Sequence, residues 1–198
     1  MDFCNRHATL VLMRAHPWFH NCIVAALFPI FLGPGAALAQ AVDMDALFSQ
    51  LSEADERAAS RLERQIWREW SKSGSSAMDL LLQRGRDAMS VGETGAAIEH
   101  FTALIDHAPD FAEGWNARAT AYFQAGLYGP SVADIAQVLR LNPRHFGALT
   151  GFARILEETG KTDQALQVYE AALAIHPHLE GVREAVERLQ QDAAGQEL

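Results

Sequence analysis

Three prolines and three glycines recur at a single interval in this chain, and that interval limits what it can fold into. Pro109, Pro143 and Pro177 stand 34 residues apart, as do Gly92, Gly126 and Gly160. Between them, Ala97, Ser131 and Ala165 recur in register, as do Phe101, Ile135 and Tyr169, and then Leu104, Val138 and Ala172. A period of 20 to 50 residues signals stacked supersecondary units, and a 34-residue unit has room for two helices. Such a unit cannot bury its apolar face alone. Stacking buries it and leaves a concave surface suited to a partner.

Cutting at the prolines gives three units, Met78–Phe111, Ala112–His145 and Phe146–Leu179. In each, an apolar helical run leads to a turn and a second run leads to the proline. The turn glycine falls where the first helix must stop and can take the left-handed conformation of a C-terminal cap. The proline comes just past the second helix, where a missing N–H costs nothing. In the third unit Ala165, Leu166, Val168, Tyr169 and Ala172 share one helical face. The small residues at 97 and 165 let two helices approach, and the larger residue four positions on fills the space between them. Gly129-Pro130 opens the second helix of unit two, with proline at an acceptable first-turn position.

With Trp115, Tyr122, Ala165, Tyr169 and the three prolines at these positions, the units resemble tetratricopeptide repeats over Met78 to Leu179. Three positions depart from the family pattern. Arg84 and Arg118 stand where Leu is usual, and Ser131 replaces a small Ala. Asp134 on the facing helix is the expected partner of Arg118. The resemblance implies an all-α fold, a right-handed array of helical hairpins (an α-solenoid) with three such repeats.

The flanks extend this plan. Residues 180–198 hold a helix with Val182, Ala185, Val186 and Leu189 along one face, the polar-backed cap that an array needs, and a frayed tail from Asp192. Residues 40–77 hold an N-terminal helical hairpin and a Ser-rich linker. Leu47, Leu51 and Ala54 make one stripe and Ala58, Leu62, Ile66 and Trp70 another. This hairpin is expected to be a degenerate repeat with Trp67 and Trp70 packed on unit one, although it can also fold back and block the groove.

Residues 1–39 read as a secretory signal peptide: Arg6 and Arg14, an apolar stretch from Ile23 to Leu32, then Ala37-Leu38-Ala39. The stretch is shorter than the roughly 20 residues that span a bilayer. Cleavage after Ala39 starts the mature chain at Gln40, cleavage after Ala41 at Val42, and Met13 is an alternative start to Met1. A periplasmic protein with no stable membrane insertion after cleavage is the expectation. Cys4 and Cys22 both lie in the leader, so the mature chain has no disulfide, iron–sulfur or thiol-nucleophile chemistry. It keeps 14 basic and 24 acidic residues, a net charge of −10, and only two lysines, Lys72 and Lys161. No basic run follows a phosphate backbone, which argues against nucleic acid as a partner.

Enzyme chemistry finds little support. Among the mature histidines, His100 and His107 share one helix two turns apart. His145, His176 and His178 stand near the inter-repeat prolines. Most of these lie at or beyond a helix C-terminus, where a cation complements the dipole. None is expected to bind metal. Glu157-Glu158 are adjacent and point to different sides of a helix. The phosphate-loop, G-x-S-x-G and H-E-x-x-H patterns are missing. No catalytic residue, metal or cofactor is assigned.

The resemblance places the working surface on the first helix of each unit, at positions turned away from the second. These include Leu82, Arg86 and Met89, then Asn116, Thr120, Phe123 and Gln124, then Gly147, Thr150 and Arg154. Leu82, Met89 and Phe123 are apolar anchors. Asn116, Thr120 and Gln124 can bond an extended peptide, and Arg86 and Arg154 can meet a carboxylate. Some members of the family clamp a chaperone's terminal carboxylate with Lys and Asn. The matching positions here hold Leu82, Arg86, Ala117, Gly147 and Gly151, of which only Arg86 can serve. The expected function is that of a non-enzymatic exported adaptor binding a protein or peptide, in cell-envelope assembly. The alternatives are self-association through Trp67 and Trp70, and an accessory subunit of an envelope enzyme complex.

Overall fold

The computed structural model describes residues 42–196; residues 1–41, with both cysteines and the signal peptide expected from the sequence, lie outside them. The described residues form nine helices and no strand: α1 (Met44–Glu53), α2 (Glu56–Trp70), α3 (Ser76–Ser90), α4 (Thr94–His107), α5 (Ala112–Gln124), α6 (Tyr128–Leu141), α7 (Phe146–Glu158), α8 (Thr162–Ile175) and α9 (Glu180–Gln196). Helices α3 to α8 pair in order as the three repeats. The end of α9 stays helical past Asp192, where sequence reading put a frayed tail.

The recurrent glycines end α3, α5 and α7 in the same way. Gly92, Gly126 and Gly160 have φ of 80°, 72° and 72°, a region that costs glycine nothing. Each glycine N–H bonds a carbonyl three residues back: Met89, Phe123 and Glu157. The next N–H reaches five back, to Ala88, Tyr122 and Leu156. This double bond pattern satisfies the last carbonyls of the helix and turns the chain sharply into its partner helix.

Within each repeat the two helices meet at small residues. A Cβ on Gly85 would fall 2.2 Å from the Phe101 ring, so α3 and α4 can only be this close with glycine there. Ala97 and Ala165 are fully buried, and Ser131 takes the equivalent place in α6. Its hydroxyl donates to the Ala119 carbonyl at 2.8 Å, which lets a polar group sit where alanine is usual. Arg118 and Asp134 form a two-point ion pair, Nε to Oδ2 at 2.8 Å and Nη2 to Oδ1 at 2.9 Å. The guanidinium also donates to Thr102 and lies over the Trp115 and Tyr122 rings. Hydrogen bonding to Asp134 holds its pKa above the usual arginine range, against the pull of burial.

Stacking continues the core from unit to unit. Leu82, Phe101 and Leu104 pack with Ala117 and Ala121 of the next repeat, and Ile135 and Val138 pack with Ala148 and Ile155. At the far end Val182, Ala185, Val186 and Leu189 of α9 cover Leu156 and Tyr169. Burial of each large side chain there contributes roughly 1.5–3 kcal/mol.

The N-terminal hairpin departs from expectation. Asp43 and Asp55 cap α1 and α2 through their carboxylates, and Leu47, Phe48, Leu51, Ala59 and Ile66 form its apolar face. That face does not pack on unit one. It clusters with Phe146, Ile175 and Leu179, and the Trp67 and Trp70 rings lie against His145 and Phe146, where unit two passes into unit three. The physical reason is at the receiving end. Gly147 leaves α7 bare where the matching positions of α3 and α5 carry Asp79 and Glu113, and the Trp67 indole fills that space. The short linker through Gly74, at φ 81°, turns the hairpin across the array rather than onto its end.

The Arg118–Asp134 pair gives a stability prediction. Asp134→Ala leaves a largely buried guanidinium without its acid and is expected to cost about 3 kcal/mol. Replacing both residues, Arg118→Met with Asp134→Leu, is expected to recover most of that loss. Urea unfolding of the three proteins measures both values.

Candidate functional site

The first helices of units two and three stand side by side with a cavity of about 170 Å³ between them. Asn116, Thr120 and Phe123 come from α5, and Gly147, Thr150, Gly151 and Arg154 from α7. Ala119, Ala148 and Ile135 supply apolar surface, and the two glycines make room. Six of the residues singled out from the sequence therefore converge: Asn116, Thr120, Phe123, Gly147, Thr150 and Arg154. Arg154 is exposed, makes no ion pair with any described residue, and rests over Phe123 at 5.2 Å. The Thr120 and Thr150 hydroxyls donate to carbonyls in their own helices, which leaves their oxygens as acceptors.

The other four lie elsewhere. Leu82 is 2% exposed and belongs to the core of unit one, because its side chain points at α4 and α5 rather than at the groove. Met89 packs on that same core and is half-buried. Gln124, at the last turn of α5, is exposed and outside the cavity. Arg86 is already neutralised: its Nη2 bonds Glu113 at 2.6 Å and Ser71 at 3.1 Å.

Glu113 organises a network that sequence reading missed. It is 4% exposed, takes Arg86 on one oxygen, and with the other accepts from Asn116 Nδ2 at 3.2 Å. That second oxygen lies 3.3 Å from His145 Nε2. The other nitrogen of His145, Nδ1, accepts the Ala148 N–H, so the ring is an N-terminal cap for α7 carrying its proton on Nε2. The expectation of a cation at a helix C-terminus fails here: His145 serves the following helix and does so as an acceptor. Trp70 stacks on its ring at 4.2 Å.

His176 behaves alike. It is 1% exposed, its Nδ1 accepts the His178 N–H at 3.2 Å, and its Nε2 faces Glu63 of α2 at 3.5 Å. One repeat earlier Asn142 does the same for Arg144 N–H. His178 Nε2 bonds the Ala54 carbonyl at 2.8 Å, a further tie between hairpin and array. Beyond α7 a second, wider cavity of about 730 Å³ shares Gly147, Thr150 and Arg154 with the first and is walled by Trp67, Glu157 and Arg188. The Tyr169 hydroxyl bonds Glu157 there; burial, then the Glu157 charge, push the phenol up to about 12. Among the described residues no cluster of three or more His, Cys, Asp or Glu is arranged for a metal, and no helix is long and apolar enough to cross a membrane.

Burial of His176 lowers its pKa from 6.5, and the Glu63 charge only partly opposes this. The folded value lies below the unfolded one, so the neutral ring's contribution is complete above about 6.5 and lost as pH falls below it. His176→Asn keeps the acceptor that Asn142 provides in the preceding repeat and removes the titration. Between about pH 7 and pH 5, the Tm of the wild type is expected to fall further than that of this variant. Thermal melts across that range read the difference.

Comparison with known proteins agrees with this architecture. The family model for the tetratricopeptide repeat matches residues 82–130 and 131–180. A TPR repeat-containing protein of Rhizobium etli is 40% identical over 153 residues, covering 77% of this chain and 75% of that protein. The small glutamine-rich tetratricopeptide repeat-containing protein 2 of Mycosarcoma maydis is 26% identical over 106 residues, 54% of this chain but only 30% of that protein. Among solved structures, the first TPR of Spaghetti bound to the HSP90 peptide SRMEEVD superposes with a TM-score of 0.56 at 21% identity, covering 59% of this chain and 93% of that one. MamA superposes with a TM-score of 0.56 at 18% identity and covers 77% of this chain and 87% of its own. These last two likenesses concern the fold alone. With the family model matched across the three helix pairs and a 40% identical relative spanned over three quarters of its length, the chain belongs to the tetratricopeptide repeat family.

Proposed function

We propose that this protein is a non-enzymatic adaptor that binds a protein or peptide in the cavity between α5 and α7. The observation that carries this reading is the convergence of Asn116, Thr120, Phe123 and Arg154 on one open cavity over an apolar floor. Phe123, Ala119 and Ile135 can receive an apolar side chain, while Arg154 and the threonine oxygens can hold the polar groups beside it. Two neighbouring folds, the first TPR of Spaghetti bound to an HSP90 peptide and the TPR2B domain of yeast Sti1 in its pHsp70 complex, support a peptide as the class of partner. Those particular peptides are not the expected ligands. The clamp positions here hold Leu82, Ala117, Gly147 and Gly151, and Arg86 is bound to Glu113.

The leader pattern of residues 1–39 supports an exported, periplasmic location and a role in cell-envelope assembly. Self-association through Trp67 and Trp70 has less support, since both rings are engaged within the chain.

The test is a cross-linking pull-down from the native extracytoplasmic compartment. The mature chain runs beside an Asn116→Ala, Phe123→Ala, Arg154→Glu variant of unchanged helicity. A partner captured by the wild type and reduced at least tenfold with the variant is the expected result. A partner held equally by both would move the site off this cavity. Edman sequencing of the exported protein is expected to begin at Gln40 or Val42, whereas Met1 or Met13 in the mature protein would exclude processing.

A further inference from the structure

Helix α2 crosses the repeats on the side of the cavities instead of extending the stack. Glu63 faces His176 at the end of unit three, Trp67 lies over Gly147, Trp70 stacks on His145, and Ser71 bonds Arg86 in unit one. Successive turns of one helix thus touch successive parts of the array, as an amphipathic helix does when it binds a groove. The receiving surface is shaped for it. A Cβ on Gly147 would fall 2.7 Å from the Trp67 ring, Phe146 is 1% exposed beneath both indoles, and Ile66 is fully buried.

From this geometry we propose that the start of α7, with the loops before α7 and α9, forms a helix-docking site that α2 occupies in cis. The partner it fits in trans is an amphipathic helix with two aromatic side chains three residues apart and a carboxylate one turn before the first. Trp67, Trp70 and Glu63 define that pattern in this chain. Occupation in cis lowers the apparent affinity for such a partner by the fraction of molecules whose hairpin is undocked. The inference stands on the contacts of α2 and goes beyond the reading of the α5–α7 cavity, so either can fail without the other.

The probe is a fluorescein-labelled peptide of residues 56–71, titrated by fluorescence anisotropy into the full mature chain. Wild type is expected to bind it weakly, because its own α2 holds the site. Trp67→Ala with Trp70→Ala loosens the resident helix and is expected to bind at least tenfold tighter. Adding Gly147→Leu to that variant fills the seat of the indole and is expected to return binding to the wild-type level. Circular dichroism confirms that each variant keeps the helicity of the array, and Trp67→Ala alone carries the test where the double variant does not. A folded, loosened variant that binds no tighter than wild type overturns the proposal. So does tight binding that survives Gly147→Leu, since the peptide would then sit elsewhere.

Discussion

Close packing of an aromatic ring against bare backbone recurs at two levels of this structure. Phe101 lies on Gly85 within the first repeat, and Trp67 lies on Gly147 between the hairpin and the array. In both places the glycine is in a helix, where it costs about 1 kcal/mol relative to alanine. The ring it admits returns more than that, because an aromatic side chain removes a large apolar area from water. The first contact sets the spacing of α3 and α4. The second fixes where the hairpin comes to rest, and with it which part of the concave face stays open.

The plan of the array was legible because it rests on local rules repeated three times. Gly92, Gly126 and Gly160 announce their turns through one conformational need, and the 34-residue register of the prolines places the second helices. Arg118 and Asp134 were legible as a pair for the same reason, since facing positions in a known unit can be matched. The hairpin was half legible. Its stripes at Leu47, Leu51, Ile66 and Trp70 show that it must bury a face, but a stripe does not name its counterpart. The signal that would have named it is Gly147, a bare position on the groove side of α7, beside the apolar Phe146.

The candidate site divides along the same line. Asn116, Thr120, Phe123 and Arg154 were found because a first helix has a groove side at fixed positions. Leu82 and Met89 were misplaced: on α3 those positions turn toward the core. Arg86 and Glu113 lie on different helices, and nothing in their spacing announces that the carboxylate will take the guanidinium, Asn116 and His145 at once. Histidine was the residue most poorly read. Its ordinary role near helix ends is that of a cation, yet His145 and His176 are buried and accept backbone N–H bonds through Nδ1.

A buried network that joins the hairpin, the inter-repeat loops and α5 makes the concave face a composite of sequence-distant parts. Its central element is the docked position of α2, and nuclear Overhauser contacts across that seam test it most directly. In the full chain, the outer ring protons of the Trp67 indole are expected to show strong cross-peaks to the Gly147 α-protons. Cross-peaks from Trp67 to residues of α3 or α4 instead, with none to Gly147, would place the hairpin on unit one and contradict the account.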